Sequence, residues 1–133
     1  MPDWGSVLAR VFWVGLGGFV GANARFWIGT WVQQRMGTAF PWGTFVINIT
    51  GSFILGLFVT LLTERIAPDR AEPLRLLIAV GFVGAYTTFS TFEYETFGLV
   101  QTSSLLRAFA NALGSLVAGF VAVWLGVGLG RLR

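Results

Sequence analysis

The chain contains no cysteine, no histidine and no lysine, and only 11% of its 133 residues are charged. Without cysteine there is neither a disulfide frame nor a thiolate metal site. Without histidine the imidazole general base and the usual zinc or haem ligands are gone. The scarcity of charge excludes a soluble domain of this length, which would have to clothe its surface in charged side chains. The net charge of +3 comes from arginine alone. These arginines are scattered at segment ends and form no stripe, so nucleic-acid binding is not expected.

What is present is apolar: 55% hydrophobic residues and a mean hydropathy of +0.73. About 20 apolar residues span the hydrocarbon core as a helix. Four stretches meet that length: about Val7 to Trp31, Trp42 to Thr63, Leu74 to about Val100, and Leu105 to Leu129. The loops between them are polar. Gln33 to Thr38 forms the first, with Pro41 suited to the first turn of the next helix. Glu64 to Arg75 forms the second, where Pro68 and Pro73 are expected to block a continuous helix. Gln101 to Ser104 forms the third and offers hydroxyl caps. Trp27, Trp31 and Trp42 flank one membrane face, and Trp4, Trp13 and Trp124 lie toward the other, as in an aromatic belt. Arg10, the run Val11 to Val20 and Ala22-Asn23-Ala24 imitate a signal peptide, but the apolar pattern continues through Phe26 to Trp31 and favours a spanning helix. The reading is a single all-α membrane domain over residues 1–133 with four transmembrane helices.

Polar groups inside a membrane are costly, so each is either satisfied by a neighbouring helix or used. Thr44, Asn48 and Ser52 recur every fourth residue and share one face of the second helix. Asn111, Ser115 and Gly119 repeat that spacing in the fourth. Interhelical bonding explains any one of them, whereas two such stripes point to a polar pathway. Gly17-x-x-x-Gly21 and Gly126-x-x-x-Gly130 read as close helix packing.

The third segment reads Gly81-Phe-Val-Gly84-Ala-Tyr-Thr87-Thr88-Phe89-Ser90-Thr91-Phe92. Glycines and paired threonines make a poor helix interior, so a break is expected between Gly84 and Thr88. Broken backbone at membrane depth lines cavities and commonly binds ions, its freed carbonyls being hard donors suited to Na⁺. A kink re-satisfied by hydroxyls is the plainer reading. Phe89 and Phe92 then follow on one face. Two phenylalanines are ordinarily packing, yet aromatic ring edges are positive and can face a small anion without a full charge. A strongly hydrated anion needs donors to replace its water, and Asn48, Ser90, Thr91 and Ser115 supply them.

These strings resemble the CrcB/Fluc fluoride channels. The third-segment run is the most specific match, joined by Gly43-Thr44-Phe-Val-Ile-Asn48-Ile-Thr-Gly51-Ser52, Gly17-Gly18-Phe-Val-Gly21-Ala22-Asn-Ala-Arg25-Phe26 and Asn111-Ala-Leu-Gly114-Ser115. The resemblance implies an antiparallel, dual-topology homodimer in the inner (plasma) membrane, with two fluoride pores along the subunit interface. It implies that Phe89 and Phe92 form an aromatic box, that Asn48 donates to fluoride with Thr44 and Ser90 beside it, and that Asn111 and Ser115 continue the polar track with Thr91 among the donors. It implies that the backbone carbonyls of Gly84 and Thr87 from both subunits hold a structural Na⁺ on the two-fold axis. Arg25 and Glu95 match polar positions near the pore entrances. Ala85 stands in place of a frequent glycine, and Glu93 is assigned no role.

The arginines set one tension. Arg10, Arg65, Arg70, Arg75, Arg131 and Arg133 fall on the side of the termini, against Arg35 and Arg107 opposite. That bias favours cytoplasmic termini. A homodimer remains the expectation, with an oppositely oriented paralogue as the alternative partner. A small multidrug exporter would need an acid inside its first helix, which has none after Asp3. A structural subunit would not explain two polar stripes beside a phenylalanine pair. An enzyme lacks a nucleophile–base pair.

Overall fold

The computed structural model describes residues 3–132 apart from Ser103. The possible cap at Ser103 and the charge at Arg133 therefore lie outside the described residues. All secondary structure among the described residues is helical. Helix α1 spans Trp4–Met36, α2 Trp42–Arg65, α3 Pro68–Leu74, a π-helix Arg75–Val83, α4 Gly84–Tyr86, α5 Phe89–Gln101 and α6 Leu105–Arg131. The segments from residue 70 to residue 101 together make one crossing, so four helices are long and apolar enough to span a membrane. Each outruns its sequence-predicted bounds by a few residues, because helix ends carry polar turns that hydropathy discounts.

The second loop departs from expectation. Pro68 opens α3 at its first turn, where proline's missing N–H costs nothing, and Pro73 lies inside the helix. Rather than ending the helix, Pro73 is followed within two residues by the wider π winding. A proline removes one i→i−4 bond and pushes away the carbonyl four residues back, and a widened turn accommodates both effects. The third crossing thus carries an irregular winding from its first turns onward. At the other loop, Ser104 is the N-cap of α6 but its hydroxyl makes no capping bond.

Helices approach closely at several glycines, where no side chain intervenes. A Cβ on Gly17 would collide with Leu77 O and one on Gly21 with Phe82 O, while on Gly81 it would sit 2.7 Å from Val14 O. Helix α1 therefore lies backbone to backbone on the π-helix. Helix α6 lies on α2 in the same way, through Gly56 against Val123 O and Gly126 against Phe53 O. Both expected small-residue motifs are packing motifs, as lipid gives helices no hydrophobic reason to associate and van der Waals contact must do it.

At the end bearing the termini, Arg10 pairs with Glu72 at 3.0 Å and Arg131 with Glu64 at 3.3 Å. Arg65 donates to the last carbonyls of α6, Gly130 O at 3.2 Å and Leu132 O. Three of the arginines behind the charge bias are thereby held in the fold.

The glycine contacts fix an expected contrast. Gly21→Ala should lower the stability of the detergent-solubilised protein by about 1–3 kcal/mol through overpacking. Gly15→Ala should be neutral or slightly stabilising, since nothing lies within 4 Å of the added methyl. Tryptophan-fluorescence unfolding of the two variants measures the difference.

Candidate functional site

The third crossing breaks within the expected window, at Thr87 and Thr88. Their backbone is extended, with φ −80°, ψ 160° at Thr87 and φ −151°, ψ 120° at Thr88. The glycine is not the cause. Gly84 is ordinary right-handed helix at φ −61°, ψ −35°, and a Cβ there would come no nearer than 4.0 Å to its closest neighbour, Ala79 O. What holds the break open is Asn48. Its Oδ1 accepts from Thr88 N at 2.8 Å and its Nδ2 donates to Thr88 O at 3.0 Å. The side-chain amide thus mimics a neighbouring strand. One of its two N–H donors remains for another acceptor.

Thr88 also starts the second half-helix. Its Oγ1 accepts from Thr91 N at 3.3 Å and donates to Thr91 Oγ1 at 3.0 Å, leaving the Thr91 hydroxyl proton available. Tyr86 anchors the first half. It is buried, stacks on Phe82 with centroids 5.6 Å apart, and its hydroxyl meets Thr50 Oγ1 at 2.9 Å. Gly51 leaves the space that Thr87 and the Tyr86 ring fill.

The carbonyls of Gly84 through Thr87 lose their helical partners here, and for two of them the competing bond is seen. In an unbroken helix Thr88 N would bond Gly84 O and Thr91 N would bond Thr87 O. Both amides are engaged elsewhere. Thr87 O instead receives Arg25 Nη1 at 3.4 Å, and the Thr87 hydroxyl donates to Val83 O at 2.9 Å. Gly84 and Thr87 therefore offer oxygen donors through the backbone, which fits a hard cation such as Na⁺. Among the described residues no cluster of His, Cys, Asp or Glu could hold a metal.

Some of the expected site residues line three cavities, while Gly84, Ser90, Phe92, Asn111 and Ser115 line none of the three. Asn48, Thr87, Thr88 and Phe89 line a cavity of about 250 Å³ together with Gly51 and Ser52. Arg25, Thr44, Thr91 and Glu95 line a second, of about 400 Å³. Glu95 also borders a third, of about 610 Å³, which opens among the α1–α2 loop, Arg107 and the end of α5. Glu95 Oε2 is buried with no hydrogen-bond partner among the described residues. Phe89 and Phe92 are neighbours, their rings 5.9 Å apart and tilted by 39°. Phe89 is 74% exposed.

Asn111 and Ser115 stand apart from these cavities. Asn111 is 1% exposed and donates to Thr96 Oγ1 at 2.7 Å, joining α6 to α5, while Ser115 reaches Asn111 Oδ1 at 3.4 Å. Sequence reasoning passed over Thr88 as a cap, although a threonine three residues before Thr91 at a helix start is a capping pattern. It also passed over Gln33, Thr50 and Thr96, which carry no signal beyond being polar.

The clamp generates a stability prediction. Asn48→Leu keeps the bulk but strands both Thr88 groups, and should cost on the order of 2–4 kcal/mol. Ser52→Ala, one turn on, should cost much less. Denaturant titration of the two purified variants compares them.

Comparison with known proteins agrees with the strings that carry the resemblance. The family described as "CrcB-like protein, Camphor Resistance (CrcB)" matches residues 12–127. A "Fluoride-specific ion channel FluC" of Chloroflexus aurantiacus is 48% identical over 118 residues, 89% of this chain and 92% of its own. The protein of the same name from Acidobacterium capsulatum is 48% identical over 122 residues, 92% of this chain and 96% of its own. That of Magnetococcus marinus is 45% identical over 124 residues, 92% and 98% of the two chains. With a match across all four crossings and relatives near half identity along almost their full length, the chain belongs to the CrcB-like family.

Proposed function

We propose that the chain is a transporter and no enzyme: a passive, fluoride-selective channel that lets fluoride leave the cell across its plasma membrane and so relieves fluoride toxicity. The relatives' names supply the ion. The observation that carries the reading is the break at Thr87–Thr88, which gathers neutral donors around freed backbone, with the Arg25 guanidinium held on Thr87 O at 3.4 Å. Asn48 keeps one N–H, Thr91 keeps its hydroxyl proton, and Ser90 and the Phe89 ring are exposed beside them. Fluoride would pass along these donors and the positive edges of Phe89 and Phe92. Thr44 would serve the same path, and Asn111 with Ser115 would steady its α6 side. Arg25 and Glu95 would stand near the entrance.

The working unit is an antiparallel, dual-topology homodimer with a pore on each side. Helix α5 supports this: none of its residues is buried, and one side carries exposed Ser90, Glu93, Tyr94 and Gln101. Lipid cannot satisfy such a stripe, whereas a second copy can. Gly84 is exposed at the same depth although its conformation does not require glycine, which suits close approach by that copy. The carbonyls of Gly84 and Thr87 from both chains would there hold a structural Na⁺, whose chemistry is to bridge the two breaks. The arginine bias favours a second reading, pairing with an oppositely oriented paralogue.

Purified without any paralogue and reconstituted in liposomes, the protein should release fluoride far faster than chloride and without a proton gradient. Ion-selective electrodes measure both anions. Equal fluxes, or strict dependence on a proton gradient, would overturn the channel reading, and an inactive but folded chain would favour the paired paralogue. In the same assay Phe89→Ile should reduce fluoride flux at least about tenfold while leaving a folded dimer, because isoleucine keeps apolar bulk but has no positive ring edge.

A further inference from the structure

Gln33 lies in the last turn of α1, three residues before its end at Met36. Its side chain is fully engaged in the connection to α2. Nε2 donates to Gly37 O and, at 2.9 Å, to Phe40 O, and Oε1 accepts from Gly43 N at 3.0 Å. Gly43 belongs to the first turn of α2, whose N-cap is Pro41, a residue with no side-chain acceptor. A helix start leaves its first amides unpaired, and here the acceptor comes from the preceding helix. The connection also contains Gly37 at φ 87°, a left-handed conformation that favours glycine, so the turn is tight and its carbonyls converge. A third carbonyl of the same loop, Ala39 O, receives Arg107 Nη1 at 3.4 Å. The loop is thus held by α1 on one side and α6 on the other.

Its position makes this matter. Gln33 and Glu95 both border the outer cavity of about 610 Å³ and the inner one of about 400 Å³. The wall between the two cavities is therefore built from these two side chains. Thr44 follows Gly43 directly, and Asn48 lies one turn farther along α2. A shift in the start of α2 would move the Thr44 hydroxyl and the Asn48 clamp together.

We infer that Gln33 is a positioning residue of the pore mouth. It caps α2 from α1, fixes the register of Thr44 and Asn48, and holds the rim of the outer cavity, without contacting the ion. Its two donors are both on loop carbonyls, which leaves none for an anion. The inference deepens the channel reading and rests on it for its effect on flux.

The test pairs removal of the cap with its replacement. Gln33→Met keeps the length of the side chain and deletes all three bonds. It should speed hydrogen exchange at the Gly43 amide and lower fluoride flux, each about tenfold, the scale of a lost N-cap. Adding Pro41→Ser to Gln33→Met supplies a hydroxyl acceptor at the N-cap itself and should restore most of both. A side chain acting as an ion ligand could not be replaced from Pro41. Loss of flux with unchanged Gly43 exchange, loss of both with no recovery in the double variant, or normal flux and exchange in Gln33→Met would each overturn the assignment. Exchange at Gly43 needs no fluoride, so a wild-type protein that fails to conduct refutes the channel reading while the cap is still judged by exchange.

Discussion

Hydrocarbon offers no hydrogen bonds, and a chain that interrupts a helix inside it must find partners for the freed backbone groups within the protein. Everything unusual in this fold answers to that constraint. The interruption at Thr87–Thr88 survives because Asn48 returns to Thr88 both the acceptor and the donor that helical neighbours would have supplied. The Thr88 hydroxyl restarts the helix, and Tyr86 keeps the first half seated against Thr50. The carbonyls of Gly84 and Thr87 are among those left as the residue of this exchange. They are the oxygens on which the sodium proposal rests, and their release follows from where the competing amides went.

The same constraint governs how the helices meet. Where no apolar surface needs hiding from water, contact depends on close approach, and glycine permits it on three separate seams. One joins α1 to the π-helix, another joins α2 to α6, and the third joins α1 to α2, where a Cβ on Gly43 would sit 2.6 Å from Gly29 O. Polar threonines elsewhere are made harmless locally: Thr60, Thr63 and Thr96 each return their hydroxyl to the carbonyl four residues earlier. The donors near the break therefore stand out. Asn48 and Thr91 hold protons that the fold does not use, and Ser90 is exposed.

Much of this was legible in the sequence. Hydropathy located four crossings, the spacing of Gly17, Gly21, Gly126 and Gly130 foretold two of the seams, and Thr87-Thr88 marked the break. The reason offered for the break was half right: the threonines are extended, but Gly84 is helical and needs no special backbone. Pro73 misled, because proline's effect on a helix depends on whether the next turns can widen, and that is decided by packing. Asn48 was read as an ion ligand, and its bond to Thr88 was invisible because forty residues separate them. Gln33 escaped for another reason, since its partners lie only four to ten residues along the chain. A glutamine in a loop looks like a solvated side chain until the carbonyls of the turn are known to point at it.

Helix α5 differs from its neighbours in when it can find its place. The first half of its crossing rests on α1, which a ribosome has already delivered to the membrane. By contrast, α5 owes its seat chiefly to α6, through Asn111 and Thr96, and α6 is made after it. The emerging chain consequently passes through an interval in which the segment bearing Glu93, Glu95, Ser90 and Thr91 has been made but lacks its bond to α6. During that interval its polar groups must stay near water or the insertion machinery. The order of synthesis, and not only the final packing, thus decides how long this least lipid-compatible segment waits.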